Sequence, residues 1–473
     1  MSYQRILSMI LVSLALVACD AKQQGTTPAA TYTPPAATTS AAAPGVANAA
    51  PVPTTLFRNV HIFSGQGSSL SEASNVLVRG NRIEKISTAD IQPETGTTVI
   101  DGAGRTLMPG LIDMHWHSMF ATATLADLTA DNGYINIIAA AESTRTLMRG
   151  FTTIRDVGGS SFALKRAVDE GQLPGPRIYP SGAMISVTSG HGDFRHGIDL
   201  PRVIGGPLTQ QERTGEAMIA DSPDEVRMRV REQLMQGASQ IKLTAGGGVS
   251  SPNSPLDAIT FTPEELRAAV QAASNWGTYV TVHAYTSEAI RQAIDAGVKC
   301  IEHGSLMDDK TAQLIKTKGI WLSMQPFPPE LGNAFPKGSN EWNKAQEVFA
   351  GNDHAYELAK KYGLKVAWGT DVLFSRALAT RQGAILASLT KWYSPAETLT
   401  MATSTNAELL QLSGKRNPYP GVLGRVEEGA LADLLLVDGN PIENIQLVAD
   451  PEHKFLVIMK DGKLYKNTVA AAR

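Results

Sequence analysis

Between about Thr106 and Leu412, short apolar runs alternate with helical patterns, and this alternation constrains the fold more than any other feature. It is typical of a parallel sheet, because each parallel strand needs a crossover, usually a helix, before the next strand begins. Eight such units that close into a ring form a (β/α)8 barrel. The eight candidate strands are LMPGLIDMHWH, FTTIRDVGG, RIYPSGAMIS, QIKLTAGGG, YVTVHAY, CIEHGS, WLSMQP and KVAWGTD.

Three of the helices between these strands carry explicit start signals. Each signal is a Ser or Thr, then Pro, and then Glu two residues after the Pro. The hydroxyl caps the helix, Pro suits the first helical position, and Glu can cap the Ser or Thr in return. We therefore predict helices that begin at Pro223, Pro263 and Pro395.

The chain ends outside the barrel show β-like alternation interrupted by turns, in LFRNVHIFSG near the start and in LADLLLVDGNP and FLVIMKDGKLYKN near the end. Neither end alone makes a good sheet, so we predict that both pair into one small composite β-sandwich. The predicted domains are 55–105 and 416–473 for the β-sandwich and 106–415 for the barrel.

The first 18 residues are predicted to be an export signal of the lipoprotein type. Arg5 precedes an apolar run that is too short to span a bilayer comfortably. Leu16-Val17-Ala18-Cys19 resembles a bacterial lipobox, which would leave Cys19 lipidated; an ordinary cleaved signal is the alternative. Residues 19–54 are poor in charge and in large apolar side chains, and predict a disordered tether. We expect a periplasmic protein that touches a membrane only through its lipid anchor.

Composition excludes some partners and cofactors. A formal net charge of −3 leaves no basic excess for nucleic acid. The run AGGGVSS lacks the spacing of a nucleotide-binding loop and is predicted to let the backbone pass close to the site. Cys300 is the one cysteine of the predicted domains, so they can contain no internal disulfide.

Polar side chains at the ends of the predicted strands indicate a metal site. His115 and His117 lie two residues apart after the first strand, so both side chains point the same way. His283, His303 and Asp371 end three later strands. The carboxyl ends of all barrel strands meet at one face, so these five residues should converge there.

Lys242 stands inside an apolar strand pattern, where burial of a charged ammonium group is costly. Burial beside cations lowers a lysine pKa, and a neutral amine can react with carbon dioxide to give a carbamate. Such an N6-carboxylysine has two anionic oxygens that can bridge two metals. The alternative is a lysine that reaches water or an acidic neighbour.

Together these residues resemble the binuclear members of the amidohydrolase superfamily. The resemblance extends over nearly all of the predicted mature chain and includes LMPGLIDMHWH, VHAY, IEHGS and GALADLLLVDGNP. It is strongest toward bacterial Xaa-Pro dipeptidase or carboxypeptidase-like amidohydrolases and the ochratoxin A-hydrolysing amidohydrolases.

The resemblance implies a ligand set. His115, His117 and Asp371 would hold one divalent metal, His283 and His303 the second, and carboxylated Lys242 would bridge them. Imidazole and oxygen donors suit zinc, although manganese or cobalt could substitute. Water activated between the metals would attack an amide carbonyl, with Asp371 as general base and acid. His191 and Tyr285 would also be catalytic and substrate-binding, while Arg195 and, more weakly, His196 are candidates for a substrate carboxylate.

The leading hypothesis is hydrolysis of a small peptide-like amide that releases an amino acid, as in a dipeptidase or carboxypeptidase, and that could include ochratoxin A. The alternative substrate is a cyclic amide, an imidazolone or a lactone. A non-catalytic barrel that binds a partner is a third possibility, which the complete ligand set disfavours. Similar proteins often form homo-oligomers, and we expect one here.

Overall fold

The computed structural model describes residues 52–129, 131–327 and 335–469. The predicted signal peptide, Cys19 and most of the tether lie outside this part of the chain. No helix in the described ranges is long and apolar enough to cross a membrane.

The structure contains seventeen strands and thirteen α-helices along the described part of the chain. The strands are β1 (Thr54–Ile62), β2 (Ser74–Arg79), β3 (Arg82–Ser87), β4 (Thr98–Pro109), β5 (Leu111–Trp116), β6 (Phe151–Asp156), β7 (Arg177–Pro180), β8 (Met184–Ser186), β9 (Ala217–Ile219), β10 (Ile241–Thr244), β11 (Val280–Thr286), β12 (Cys300–Leu306), β13 (Trp321–Met324), β14 (Lys365–Trp368), β15 (Leu434–Val437), β16 (Phe455–Lys460) and β17 (Lys463–Asn467). The helices are α1 (Asn132–Met148), α2 (Phe162–Asp169), α3 (Gln210–Thr214), α4 (Pro223–Gln236), α5 (Pro263–Asn275), α6 (Ser287–Asp295), α7 (Asp309–Lys318), α8 (Asn340–Tyr362), α9 (Arg376–Ala379), α10 (Gln382–Ala387), α11 (Pro395–Thr400), α12 (Asn406–Leu410) and α13 (Pro451–Lys454).

The barrel is a ring of eight parallel strand positions. The first two are β5 and β6, the third is shared by β7 and β8, and the remaining five are β10, β11, β12, β13 and β14. Backbone hydrogen bonds close the two gaps between its sheets: Ser239 donates to Pro180, and Asp371 donates to His115. All eight apolar runs of the sequence form barrel strands, so the predicted (β/α)8 fold is confirmed.

The third barrel strand is divided into β7 and β8 by a break at Gly182. This glycine has φ +74°, and a Cβ there would lie 2.2 Å from Gln233 Oε1, so only glycine fits. The break lets β7 pair with β6 while β8 pairs with β10, and β9 adds to β8 outside the ring.

The predicted helix starts are also confirmed. α4, α5 and α11 begin at Pro223, Pro263 and Pro395, and in each case the preceding hydroxyl accepts a hydrogen bond from the backbone N–H of the glutamate. These caps satisfy otherwise unpaired amides at the helix ends.

Both chain ends pair into one seven-stranded sheet with the order β17, β16, β15, β4, β1, β2, β3, as the predicted composite β domain requires. Side chains alternate between its faces. Leu434 and Leu436 pack in a core made by the sheet itself, whereas Leu435 packs in the main core of the barrel. The sheet therefore joins the start of the barrel to its end.

Glu216, directly before β9, is a buried carboxyl group with no hydrogen-bond partner for either oxygen among the described residues. Burial raises its pKa well above the ordinary 4.5. Between the ordinary pKa and the raised pKa, Glu216 ionises in the unfolded state but stays protonated in the folded state. The free energy of unfolding therefore falls as the pH rises through this range. We expect Glu216→Gln to stabilise the protein at pH 8 by about 1–3 kcal/mol and to have little effect near pH 4.5.

Thermal unfolding at both pH values checks this expectation, with Glu443→Gln as the control because Glu443 is exposed. An equal change at both pH values would mean that ionisation of Glu216 is not the cause.

Candidate metal centre and substrate cavity

Three predicted ligands converge where β5 ends beside the loop after β14. The Oδ1 atom of Asp371 lies 3.1 Å from His115 Nε2 and 3.3 Å from His117 Nε2. Ligand atoms of a tetrahedral site with metal bonds of about 2.0–2.1 Å lie roughly 3.3 Å apart. Each of these two distances fits a pair of ligands on one divalent ion.

The remaining predicted ligands line the same cavity from β10, β11 and β12. The ring centroids of His283 and His303 are 4.6 Å apart, and the His303 ring is 5.0 Å from His115. Potential ligand atoms of His115, His303 and Asp371 all lie within 4.8 Å of one another. The structure thus brings together all six residues that the sequence predicted as ligands.

Hydrogen bonds indicate which ring nitrogen is free in three of the four candidate histidine ligands. Carbonyl oxygens only accept, so His117 Nδ1 donates to Gly158 at 3.2 Å and His283 Nε2 donates to Gly247 at 2.9 Å. His115 Nδ1 donates to Glu302 at 2.9 Å. In each case the other nitrogen keeps its lone pair, as a metal ligand requires. His303 Nδ1 is buried without a hydrogen-bond partner among the described residues.

Lys242 lies in β10 with its side chain buried. Burial lowers the pKa of this lysine, against the opposing effect of the Glu302 and Asp371 charges. No hydrogen bond or ion pair joins its Nζ to a described side chain or carbonyl. This environment favours the neutral amine.

The backbone at two candidate ligands is strained. His303 has φ 77° and Asp371 has φ 54°, conformations that are uncommon for residues other than glycine. Each costs on the order of 1 kcal/mol and persists only where surrounding contacts impose it. Asp371 is held by its N–H bond to the His115 carbonyl, which sets the carboxylate between the two histidines.

His191 and Tyr285 also line the cavity. The His191 ring lies 4.1 Å from the His283 ring, and burial lowers its pKa to about 3, so the imidazole is neutral. The Tyr285 ring lies 4.6 Å from His283 and 5.1 Å from His303, and burial raises its pKa. Both groups can donate a hydrogen bond beside the candidate ligands.

Arg195 does not reach this cavity. Its Nε and Nη2 atoms each lie 2.7 Å from the Asp193 carboxylate, and Nη2 also donates to Thr188. Arg195 and His196 instead line an adjoining cavity. The guanidinium is therefore neutralised locally rather than directed at the six candidate ligands.

The cavity has a volume of about 260 Å³. Among the described lining residues, Lys242 is the one lysine or arginine, and most of the others are apolar. The apolar lining side chains are Leu125, Met184, Phe194, Val249, Phe327, Phe335, Val348, Phe349, Val372, Leu373, Phe374 and Leu378.

Sequence reasoning missed the ion pair behind the site. Glu302, fully buried, accepts from His115 and lies 2.5 Å from Arg155 Nη2. Burial alone would raise the pKa of Glu302, but the charge of Arg155 and the contact with His115 hold it well below its usual range. Both residues stand inside apolar strand patterns, the same signal that identified Lys242.

We expect Glu302→Gln to weaken metal binding by about 10–100-fold, because the carboxylate orients His115. It should also lower stability by about 3–5 kcal/mol, since the Arg155 charge stays buried without its partner. Metal titration and thermal unfolding measure the two effects separately. Unchanged metal affinity would show that His115 does not depend on this carboxylate.

Comparison with known proteins identifies the family of the chain. The model of the Amidohydrolase family matches residues 106–465. Ochratoxinase of Aspergillus niger is 31% identical over 380 residues, which cover 76% of this chain and 75% of that protein.

Two crystal structures with a TM-score of 0.80 cover 88% of this chain. One is an amidohydrolase, 35% identical and covered to 99% of its length; the other is a prolidase complexed with N-methylphosphonate-L-proline, 33% identical and covered to 100%. Proteins of this family generally hold a metal centre, as the described His and Asp cluster can. The chain belongs to the amidohydrolase family and is a hydrolase of carbon–nitrogen amide bonds.

Proposed function

We propose that this protein is a binuclear metal-dependent amidohydrolase that releases an amino acid from a peptide-like amide, in a dipeptidase or carboxypeptidase-type reaction. The observation that carries the proposal is the convergence of four histidines, Asp371 and Lys242 on one cavity. The relatives support it, since one is an ochratoxinase and another a prolidase complexed with a phosphonate of proline.

The donor set fits two divalent metals, which we propose to be zinc. His115, His117 and Asp371 would hold one, and His283 and His303 the other, with Lys242 as a carbamate between them. Burial of Lys242 supports this, because it lowers the pKa of the lysine toward the neutral amine, the form that adds to carbon dioxide. When bound, the metals would make water a nucleophile near neutral pH and polarise the amide carbonyl.

The side chains of the cavity supply the proton chemistry. Asp371 faces the space between His115 and His117, so it can accept a proton from the attacking water and return it to the leaving nitrogen. His191 and Tyr285 are neutral donors on the same cavity and would stabilise the negative charge that develops on the carbonyl oxygen.

The apolar walls narrow the substrate class. The rings of Phe327 and Phe349 lie 5.3 Å apart in a tilted arrangement, and Phe327 stacks on His303 at 6.4 Å. Phe194 and Phe374 meet edge to face at 6.2 Å near Asp371. A cavity of this kind favours bulky apolar groups on the amide. This is consistent with aromatic substrates such as ochratoxin A, which would yield phenylalanine and ochratoxin alpha.

The N-terminal predictions belong to the same proposal. We propose that Cys19 is lipidated, that the enzyme acts in the periplasm and that it assembles as a homo-oligomer. Membrane fractionation of the wild-type chain and of Cys19→Ser tests the anchor, because the variant should lose lipid labelling and leave the membrane fraction.

Amino-acid release from a panel of dipeptides, N-acyl amino acids and ochratoxin A tests the proposed reaction, with metal content counted before and after chelation. We expect release that requires about two metals per chain, as in two-metal hydrolases. Absence of release with metals bound would move the search to cyclic amides, imidazolones and lactones, a direction that the 25% identity to an imidazolonepropionase also suggests.

A further inference from the structure

Lys344, in the first turns of α8, directs its ammonium group into a neighbouring loop rather than into solvent. The residue is 7% exposed, and its Nζ donates hydrogen bonds to the carbonyls of Gly248, Ser251 and Ser254 at 2.8, 2.7 and 3.2 Å. An ammonium group has three donors, and all three are used on one short segment of backbone. Lys344 therefore gathers residues 248–254 around one charge.

This loop holds two histidines of the candidate active site. The Gly247 carbonyl accepts from His283 Nε2 at 2.9 Å, and Ser251 Oγ lies 3.0 Å from His191 Nδ1. The approach is close, because a Cβ at Gly248 would lie 1.9 Å from His191 Nδ1. Movement of the loop would displace both rings.

Ser251 also selects the tautomer of His191. Its hydroxyl is fully buried and accepts from the Gly192 N–H at 2.8 Å. The hydroxyl proton has one acceptor among the described contacts, His191 Nδ1. The neutral His191 ring therefore carries its hydrogen on Nε2, which leaves an N–H donor for the cavity.

The helix that carries Lys344 also forms part of the cavity wall. Val348 follows Lys344 by one turn and lies on the same side of α8, and Phe349 comes next; both line the cavity. The start of α8 rests on the same loop, since Asn340 donates to the Pro252 carbonyl at 3.4 Å. One rigid element thus contacts both the substrate space and the loop.

We propose that Lys344 is a positioning residue for the amidase reaction: by fixing residues 247–254 it holds His191 where the substrate would bind and His283 where it would act as a metal ligand. The inference rests on the proposed function. Lys344 does not line the cavity, yet it would set the positions of two histidines that do.

Lys344→Met tests the proposal, because methionine keeps the length of the side chain and removes the three donors. We expect kcat per metal-loaded site to fall about 10–100-fold, since small displacements of catalytic groups have effects of this size. KM should change little, and hydrogen–deuterium exchange should rise in peptides that span 246–255. Lys361→Met is the matched control, because Lys361 lies on the same helix, is exposed and pairs with Asp309.

A merely structural role would lower the melting temperature and the folded fraction but would leave kcat per folded, metal-loaded molecule unchanged. That result, or unchanged exchange in the loop, would overturn the proposal. Ser251→Ala provides a second route if Lys344→Met folds poorly, because it removes the hydroxyl contacts with His191 and the Gly192 N–H but keeps Lys344 and the backbone carbonyl that Lys344 binds. It should lower kcat similarly, and the two substitutions together should lower kcat by less than the product of their separate effects.

Failure of the proposed function gives a different pattern. In that case the wild-type protein releases no amino acid from any substrate of the panel, whether or not residues 247–254 are ordered. Exchange in the peptides that span 246–255 and 189–193 still decides whether Lys344 orders the loop beside His191.

Discussion

Lys242→Ala should reduce kcat/KM for amide hydrolysis at least about a thousandfold, because several kcal/mol of transition-state stabilisation would depend on the proposed metals. Bound metal should fall from about two ions per chain to one or none, as expected when a bridging ligand of a two-metal site is lost. Steady-state kinetics and metal analysis of the purified variant measure both effects.

We also expect small carboxylates to restore part of the activity of Lys242→Ala, which is a more specific result than the loss of activity. Lys242 is buried in the cavity wall, so alanine leaves a space in which formate, acetate or propionate can supply the missing oxygens. Carbon-13 NMR of wild-type protein equilibrated with labelled bicarbonate should also detect the carbamate directly. Lys299→Ala, at an exposed lysine just before β12, controls for loss of a lysine.

Two results would contradict the bridging role. A Lys242→Ala variant that keeps both metals and most of its activity would show that the lysine is not a ligand. A wild-type protein with full metal content but no carbamate signal would show that the lysine acts without carbon dioxide.

Asp371→Asn should lower kcat by about 10²–10⁴-fold, the range associated with loss of a general acid–base group. Asparagine is the informative replacement, because it tolerates the positive φ of 54° at this position and keeps the shape of the side chain. The change therefore removes the charge and the proton acceptor with little strain.

The dependence on leaving group separates the two roles of Asp371. If it protonates the departing nitrogen, alkylamides should lose more activity than 4-nitroanilides, whose leaving group needs less help. An equal loss for both, together with reduced metal content, would mean that Asp371 acts as a ligand alone. Asp295→Asn, at an exposed aspartate near the end of α6, should leave kcat unchanged.

The sequence by itself determined the fold and the six candidate ligands that line the cavity. Apolar runs with polar residues at their ends specify strands, and the geometry of a parallel barrel then brings those ends to one face. His115, His283 and Asp371 could be placed together for this reason, although they are far apart in the chain. The unusual position of Lys242 inside an apolar strand needed no coordinates either.

Only the tertiary structure decided how these residues are held. Glu302 lies 187 positions from His115, and Lys344 lies 96 positions from the Gly248 carbonyl that it binds. The tertiary structure also decided the role of Arg195. The sequence suggested that it could bind a substrate carboxylate, but its guanidinium pairs with Asp193 two residues earlier. Such contacts depend on the side-chain directions and loop paths of elements distant in sequence, and strand periodicity carries no information about them.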